Sequence, residues 1–289
     1  MSRANKYSGD TDAKRLSRVA VYRRIEELQP PECRRWGKGM AIVLAGPEAG
    51  EVGCLRDFLK MDPKGVIFVD REAKGLLKVN RDWPEAVTFF SDMKELNRLF
   101  KGSSYPTSIV NFDFCGYVTD ENEKLVRNIA PQIVDWGMVF TTFFRGRETF
   151  GNRERVLKAK AKTLDGKRFV STAGVLQKAL GPTFLPVFSL RYAGLQSDGR
   201  GKTKRGTMGI LGFQKVPKGF QRNTHWTRMM ESPSPYGGNI PTDERLLSEL
   251  LRVEALTLRS RGLNSKEVAA ILNLNPGSVA AWFANQSRQ

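Results

Sequence analysis

A glycine-rich turn is the first feature of this sequence that could take part in ligand binding. Residues 45–53 contain glycines at positions 46, 50 and 53 and directly follow an apolar run. Glycine has no Cβ, so a turn of this composition can bend sharply and approach a ligand closely. Its position between a predicted first strand and a predicted helix is typical of nucleotide-binding α/β domains.

Two aspartates follow the next two apolar runs. Asp70 ends the second run, where its carboxylate could accept hydrogen bonds from both ribose hydroxyls of a nucleoside. Asp92 follows the third run and could receive an adenine amino group. Acidic residues also begin such loops because they cap the following helix, which is the alternative role for each residue alone. Their occurrence in series after a glycine turn favours a nucleoside site.

A third set of candidate residues follows the fourth apolar run, in residues 111–117. Ligands of open α/β sheets bind beyond the carboxyl ends of the strands, so these side chains should border the same pocket. Asp113 could hold a substrate amine or the cofactor, and Phe114 and Tyr117 could stack on a planar base. A buried thiol is favoured over a nucleophile for Cys115, because no companion base is visible.

The elements that must position these residues alternate between short apolar runs and helical segments. Such alternation predicts an α/β fold with a mostly parallel sheet. The predicted strands lie at 40–45, 66–69, 87–90, 108–112 and 137–144, and a predicted hairpin joins 187–192 to 208–216 through a cationic connector at 197–206. Helices are predicted around 121–136 and over the basic segment 153–162.

Five strands followed by a hairpin resemble the class I S-adenosylmethionine-dependent methyltransferase fold, over about residues 39–217. The resemblance implies a Rossmann-like sheet with a terminal antiparallel hairpin and S-adenosylmethionine as cofactor. It implies that the cofactor contacts lie at Ala45, Gly46, Glu48, Gly50, Asp70 and Asp92, and that the catalytic residues are Asp113, Phe114 and Tyr117.

The sequence departs from the family pattern at two motifs. Ala45 stands where the family has an acidic residue, and Pro47 and Glu48 interrupt the glycines. The segment from Asp113 to Tyr117 also lacks the prolines that follow the corresponding acid in amino-methylating DNA enzymes. Whether catalysis is retained is therefore left open.

The end of the chain has the pattern of a helix-turn-helix. In residues 265–282, Ser265 could cap the first helix, Ala269 supplies a small contact residue and Asn273 suits a left-handed turn. A preceding helix would place four apolar residues against this pair: Leu246, Leu250, Val253 and Leu256. A helical cap or a dimerisation domain is the alternative to DNA binding.

An exposed recognition helix would present polar side chains to nucleic acid, since Asn can pair with adenine and Ser and Arg suit phosphate or guanine. The predicted nucleic-acid-binding residues are Lys266, Asn275, Ser278, Ala281, Asn285 and Arg288. A small all-α helix-turn-helix domain is thus predicted at 242–289, after a linker at 218–241.

The composition favours a nucleic-acid partner. The chain has 47 Lys and Arg against 30 Asp and Glu, for a formal charge of +17, and a phosphate backbone is the partner that suits this excess. A basic arm is predicted at 1–38, with a helix near 13–28 that either contacts phosphates or packs on the main domain. No signal peptide or membrane-length apolar run is visible, which predicts a cytoplasmic protein with no membrane partner.

The leading hypothesis is a nucleic-acid methyltransferase that uses S-adenosylmethionine, with DNA favoured over RNA as substrate. The alternative is a catalytically inactive, methyltransferase-like scaffold that serves as a DNA-binding regulator or as a replication or packaging accessory. An RNA-modifying enzyme is a third, weaker hypothesis.

Overall fold

The fold is built on one seven-stranded sheet with the order β3-β2-β1-β4-β5-β7-β6. A computed structural model describes residues 11–29, 39–46, 48–91, 95–96, 106–114, 118–144, 153–197, 203–220, 240 and 243–286. The strands are β1 Met40–Leu44, β2 Val66–Asp70, β3 Val87–Phe90, β4 Thr107–Asp113, β5 Ile133–Phe144, β6 Phe184–Ser197 and β7 Thr203–Lys215.

The first five strands are parallel, whereas β7 runs antiparallel to both β5 and β6. This arrangement confirms the predicted fold class, a mostly parallel Rossmann-like sheet that ends in an antiparallel hairpin. Since β2, β1 and β4 are neighbours and parallel, their carboxyl ends meet at one edge of the sheet. That edge, called the carboxyl edge below, carries Gly46, Asp70 and Asp113.

The helices are α1 Asp12–Glu27, α2 Glu51–Gly53 with a π-helical continuation Cys54–Phe58, α3 Ala73–Asp82, α4 Asp120–Ile129, α5 Arg153–Lys158, α6 Leu164–Leu180, α7 Glu244–Ser260, α8 Ser265–Leu272 and α9 Pro276–Gln286. Among the described residues, none of the helices combines the length and the apolar character needed to cross a bilayer.

Two predicted helices are longer than the helices observed. The helix expected to reach Trp136 ends at Ile129, and a 3-10 turn containing Pro131 follows, because proline cannot donate the next helical hydrogen bond. Trp136 instead lies in β5, with a φ of 66°. The basic helix expected over 153–162 ends at Lys158. A separate helix, α6, begins at Leu164, where Thr163 Oγ1 caps it by accepting a hydrogen bond from Gly166 N.

Hydrophobic residues fill both faces of the sheet. Alternate strand residues face opposite sides, so Val43 and Phe140 pack with α1, α2 and α3, whereas Val110 and Val139 pack with α4 and α6. The first of these clusters continues without interruption into the apolar residues of α7, α8 and α9.

Helix α1 packs on the sheet as an integral part of the fold. Leu16, Tyr22 and Ile25 are completely buried. Arg24 is also buried, and its Nε donates to the carbonyl of Val187 at 3.0 Å. Of the two roles considered for this segment, packing against the main domain is the one that the structure shows. Contact with phosphates would need the charged groups that this packing leaves accessible.

The turn between α8 and α9 has the geometry that its sequence predicts. Asn273 adopts the left-handed conformation, with φ and ψ both 51°, and Leu274 packs beside the core. The cap of α8 is Asn264 rather than Ser265: the Asn264 side chain accepts from the backbone of Lys266 and Glu267. A Glu267 side chain that returns to Asn264 N completes a capping box.

The predicted inner face of α7 is wrong at two of its four residues, whereas Leu250 packs against the core as expected. Leu246 and Val253 are exposed, while the buried side is formed by Leu247, Leu251, Glu254, Ala255 and Leu258. The leucine pairs at 246–247 and 250–251 satisfy helical periodicity in either phase. Contact with α1 and α8 selects the phase, and no local pattern contains that information.

The three C-terminal helices dock directly on α1 and α2. A Cβ added to Gly53 would lie 2.2 Å from the carbonyl oxygen of Ala270, and the Cys54 thiol donates to the Ile271 carbonyl at 3.7 Å. An ion pair between Arg23 and the buried Glu254 joins α1 to α7. The contacts of Gly53 and Cys54 reach backbone atoms of α8, so α8 lies directly against the helix that follows the glycine turn. The predicted domain boundaries stay predictions, and residues 221–239 of the linker lie outside the described ones.

Candidate functional site

The glycine turn and Asp70 form a hydrogen-bonded unit at the carboxyl edge. Gly46 N donates to Asp70 Oδ2 at 2.8 Å, and Glu72 N donates to Asp70 Oδ1 at 2.9 Å. Gly46 has a φ of 60°, which is accessible to glycine at little cost. Ala45 N also donates to Val69 O at 3.2 Å, which holds the end of β1 against β2. The carboxylate of Asp70 is therefore fixed beside the turn.

The two glycines of the turn have different surroundings. A Cβ added to Gly46 would meet no atom within 4 Å, whereas one added to Gly50 would lie 2.3 Å from the guanidinium carbon of Arg18. Backbone at Gly46 is thus open to a ligand. At Gly50 the space above the backbone is already occupied by a cationic side chain from α1.

Glu48, the acidic residue within the turn, contacts α3. Its carboxylate pairs with Lys74 at 2.8 Å and with Lys78 at 3.9 Å. Lys78 Nζ also donates to the Glu48 carbonyl at 2.9 Å. These contacts fix the turn to α3.

Asp113, at the end of β4, is paired with Lys14 of α1. The distance between Lys14 Nζ and Asp113 Oδ2 is 3.1 Å, and both side chains are partly exposed. Phe114 stacks on the buried ring of Phe112, with 5.4 Å between ring centroids and 14° between planes. Its ring also packs against the core on the α4 and α6 side of the sheet. Asp92, Tyr117 and Arg288 lie outside the described residues.

Beneath these residues lies a buried polar cluster that the sequence analysis did not identify. It joins Arg18 to Glu51 at 3.5 Å and includes the buried hydroxyl of Tyr22. Burial, with a smaller contribution from the Glu51 carboxylate, raises the pKa of Tyr22 well above its ordinary value. Asn111 of β4 is a further polar neighbour of this hydroxyl, and its contribution lowers that pKa.

The signal for this cluster was present in α1. Lys14, Arg18 and Tyr22 are spaced four residues apart, so they share one side of the helix. That side faces Asp113, the glycine turn and β4. Basic and aromatic polar side chains aligned at four-residue spacing could have been recognised as pointing to a polar site.

The predicted nucleic-acid-binding residues of the C-terminal helices lie on the surface wherever they are described. Those with exposed side chains are Lys266, Asn275, Ser278, Ala281 and Asn285. Asn275 Oδ1 also accepts from Gly277 N at 2.8 Å, which caps α9. Helix α9 contains no charged residue, so any phosphate contact there would depend on neighbouring basic residues such as Lys266.

The strand order and the antiparallel seventh strand together define a Rossmann-like fold of the methyltransferase type. No protein-family model matches the chain, and no curated protein matches its sequence. Solved structures that resemble it include an rRNA methylase from Streptococcus thermophilus, at 10% identity over 68% of this chain and 95% of that chain, with a TM-score of 0.39.

Two further similar structures are methyltransferases. A S-adenosylmethionine-dependent methyltransferase from Anabaena variabilis shares 13% identity over 71% of this chain and 86% of that chain, with a TM-score of 0.43. An N-methyltransferase from Bradyrhizobium japonicum, solved with S-adenosyl-L-homocysteine, shares 10% identity over 72% and 90% of the two chains, with a TM-score of 0.38. Similarities at this level leave the activity to be argued from the site.

Proposed function

We propose that this protein is a nucleic-acid methyltransferase that uses S-adenosylmethionine. The observation that supports this most directly is the bond from Gly46 N to Asp70 at the carboxyl edge, one strand away from Asp113. A glycine turn with open backbone, a fixed carboxylate beside it and a second acid on the adjacent strand provide the groups that a nucleoside-bearing cofactor requires.

The described residues fit this cofactor. Asp70 has further lone pairs for ribose hydroxyls, because each of its oxygens accepts a hydrogen bond from one backbone N–H and a carboxylate can accept about four. When bound, the cofactor supplies a methyl group on a positively charged sulfur. The chain itself would need to orient the methyl acceptor, since alignment of donor and acceptor provides most of the rate in such a transfer.

In this proposal Asp113 contacts the acceptor. Its carboxylate could accept a hydrogen bond from an exocyclic amine and hold that nitrogen in place, or later take up a proton. Phe114 and Tyr117 would border the acceptor base, and Ala45, Glu48 and Gly50 would border the cofactor with Gly46, Asp70 and Asp92. The acceptor would have to displace Lys14 from its ion pair with Asp113.

Nucleic acid is the proposed substrate because of the charge and the C-terminal helices. A net charge of +17 favours a polyanion. The exposed Asn275, Ser278 and Asn285 form a polar surface on a short helix joined to α8 by a tight turn, as in helix-turn-helix proteins. We propose duplex DNA as the preferred substrate, with RNA as the comparison.

A second candidate function is a nucleic-acid-binding scaffold without catalysis. The specific observation that favours it is the ion pair between Lys14 and Asp113, which occupies the acid proposed to contact the acceptor. The guanidinium of Arg18 also favours the scaffold, because it occupies space beside Gly50 that the cofactor would border. Such a scaffold would bind nucleic acid and could still bind the cofactor, but it would transfer no methyl group.

The test combines cofactor binding with methyl transfer. Isothermal titration of the full chain with S-adenosylmethionine should give saturable binding, and Asp70→Asn should weaken it about tenfold, because hydrogen bonds to a charged group contribute about 1.5–3 kcal/mol. Asp62→Asn is the matched control, since Asp62 caps the turn before β2 at the opposite edge. The absence of binding to a folded sample would refute the proposal.

Transfer of a labelled methyl group separates the two candidates. The methyltransferase predicts label in duplex DNA above the level in structured RNA of equal length. Cofactor binding without label in either nucleic acid would favour the scaffold, and label confined to RNA would correct the substrate.

A further inference from the structure

A second basic surface borders the carboxyl edge, on the opposite side of the sheet from the C-terminal helices. Arg155 of α5 lies 3.9 Å from both Asp120 and Glu123, in the first turn of the helix that follows β4. Asp165, in the first turn of α6, pairs with Arg191 of β6 at 3.1 Å. Arg191 is level with Phe143 near the end of β5. Residues 153–168, called the basic segment below, therefore lie at this edge.

The basic segment is strongly cationic and accessible. It contains seven basic and two acidic residues. Five of the basic side chains are exposed: Arg153, Arg155, Lys158, Lys160 and Lys162. A cluster of this density creates a positive potential that attracts polyanions.

The acids of the segment do not cancel this charge where it is greatest. Glu154 pairs with Lys158 at 2.6 Å, and Asp165 pairs with Arg191 from outside the segment. Within the ranges that the structure describes, Arg153, Lys160 and Lys162 have no acidic partner. Their charges are accordingly available to a ligand.

The β6–β7 hairpin projects from the same edge of the sheet. Its pairing continues beyond Met208, the last residue of β7 that pairs with β5, from Ala193↔Thr207 to Ser197↔Thr203. The hairpin backbone thus projects past the end of β5. Since Asp165 contacts β6, the basic segment and the hairpin are neighbours.

We infer that the basic segment binds the phosphodiester backbone of the substrate nucleic acid beside Asp113. This contact surface is separate from the exposed side of α9, and it rests on the proposed function because it explains how a strand would be held at Asp113. The C-terminal helices pack on the α1 face of the sheet and α6 on the other. Nucleic acid could therefore be held on both sides of the carboxyl edge.

A phosphate backbone suits this surface better than an anionic membrane. Two apolar side chains could insert into a membrane, Leu157 and Leu164, which are 57% and 48% exposed. They lie in two different helices. Helix α5 has only six residues, too few for an amphipathic helix that lies in a bilayer interface. Separate exposed lysines are instead suited to contacts with successive phosphates.

The test measures nucleic-acid affinity without cofactor, so that it does not depend on methyl transfer. The full chain is titrated into fluorescently labelled duplex DNA, the same DNA as a single strand, and an RNA hairpin, at several salt concentrations. Lys160→Gln/Lys162→Gln should weaken binding about tenfold at 0.1 M salt and reduce the salt slope by about 2 for the duplex, since each phosphate contact contributes about 0.9.

The matched control is Lys64→Gln/Lys178→Gln, which removes the same charge from exposed lysines at the opposite edge of the sheet. It should change affinity less than twofold on this inference, with a salt slope close to that of the unmodified chain. Equal losses in the two double variants would show a general charge effect and overturn the inference, as would no loss in the first. Binding to anionic phosphatidylglycerol vesicles is measured for the same variants. If Lys160→Gln/Lys162→Gln weakens binding to these vesicles alone, the surface binds lipid and the inference is overturned.

The three nucleic acids show which kind of phosphate backbone the surface binds. If Lys160→Gln/Lys162→Gln lowers the affinity for DNA alone or for RNA alone, the inference stands and that nucleic acid is the ligand. Failure of the two proposals is also distinguishable. If the chain binds no S-adenosylmethionine while Lys160→Gln/Lys162→Gln still weakens nucleic-acid binding, the methyltransferase proposal fails and the contact surface stands.

Discussion

Lys14 of α1 forms an ion pair with Asp113 at the end of β4, with 3.1 Å between Nζ and Oδ2. The two residues are 99 positions apart in the chain, and the pair closes the N-terminal helix over the carboxyl edge. The acid proposed to contact the methyl acceptor is therefore held by the protein's own amine. Because both side chains are partly exposed, a substrate amine could replace Lys14 at modest energetic cost.

The first prediction concerns Asp113 itself. Asp113→Asn should lower single-turnover methyl transfer on the order of 100-fold, because the positioned carboxylate is lost, with little change in cofactor affinity. Lys14→Met should alter the rate far less, since it removes only the competing partner. Asp120→Asn is the control, as its side chain is 80% exposed on α4. Transfer by Asp113→Asn at the unmodified rate would exclude Asp113 from the chemistry.

The docking of α8 on α2 gives a second prediction. Gly53→Ala should destabilise the protein by about 1–3 kcal/mol, because its Cβ would lie 2.2 Å from the Ala270 carbonyl oxygen and backbone cannot move aside easily. A Cβ added to Gly174 in α6 would meet no atom within 4 Å. Gly174→Ala should therefore stabilise the protein by up to about 1 kcal/mol. Urea unfolding measures both. Equal effects would show that α2 and α8 are not in close contact.

A third prediction concerns the ion pair between Arg23 and Glu254. Arg23→Met should cost about 3 kcal/mol of unfolding free energy, since it removes the Arg23 cation from a buried carboxylate. Adding Glu254→Met should recover part of that loss. Lys158→Met breaks an exposed pair and should cost less than about 0.5 kcal/mol. A double variant less stable than Arg23→Met alone would contradict the account.

The buried hydroxyl of Tyr22 predicts a dependence of stability on alkaline pH. Burial raises the pKa of Tyr22 in the folded protein, while the unfolded chain ionises it near pH 10. Above about pH 10 the unfolded state loses this proton first, so the associated stability is present below that pH and lost above it. Urea unfolding from about pH 8 to pH 11 should show a steeper decline for the unmodified chain than for Tyr22→Phe. Parallel declines would place Tyr22 in solvent.

A fifth prediction tests the exposed side of α9. Asn285→Ala should weaken binding to duplex DNA about tenfold, if Asn285 contacts a base edge, where a bidentate pair contributes about 1–3 kcal/mol. Ser248→Ala on the exposed side of α7 is the control. Fluorescence anisotropy measures both affinities. Unchanged binding would leave the C-terminal helices with a packing role alone.

Much of the sheet could be predicted from local sequence. The apolar runs that became β1, β2 and β3 ended within about one residue of their predicted bounds, because continuous apolar segments between turns are typical of buried parallel strands. Helix α6 was missed, since its residues show little periodicity and only Leu176, Ala179 and Leu180 are buried. The phase of α7 was wrong because adjacent leucines allow two inner faces.

The amino-acid sequence alone determined the local features: the strand positions, the open turn at Gly46, the left-handed Asn273 and the excess of positive charge. These features depend on the intrinsic preferences of neighbouring residues, so they can be predicted without the tertiary structure. Tertiary structure alone decided that Arg18 covers Gly50 and that α8 rests on Gly53. Such contacts join residues distant in the chain, and they form only when burial of a shared apolar core brings their helices together.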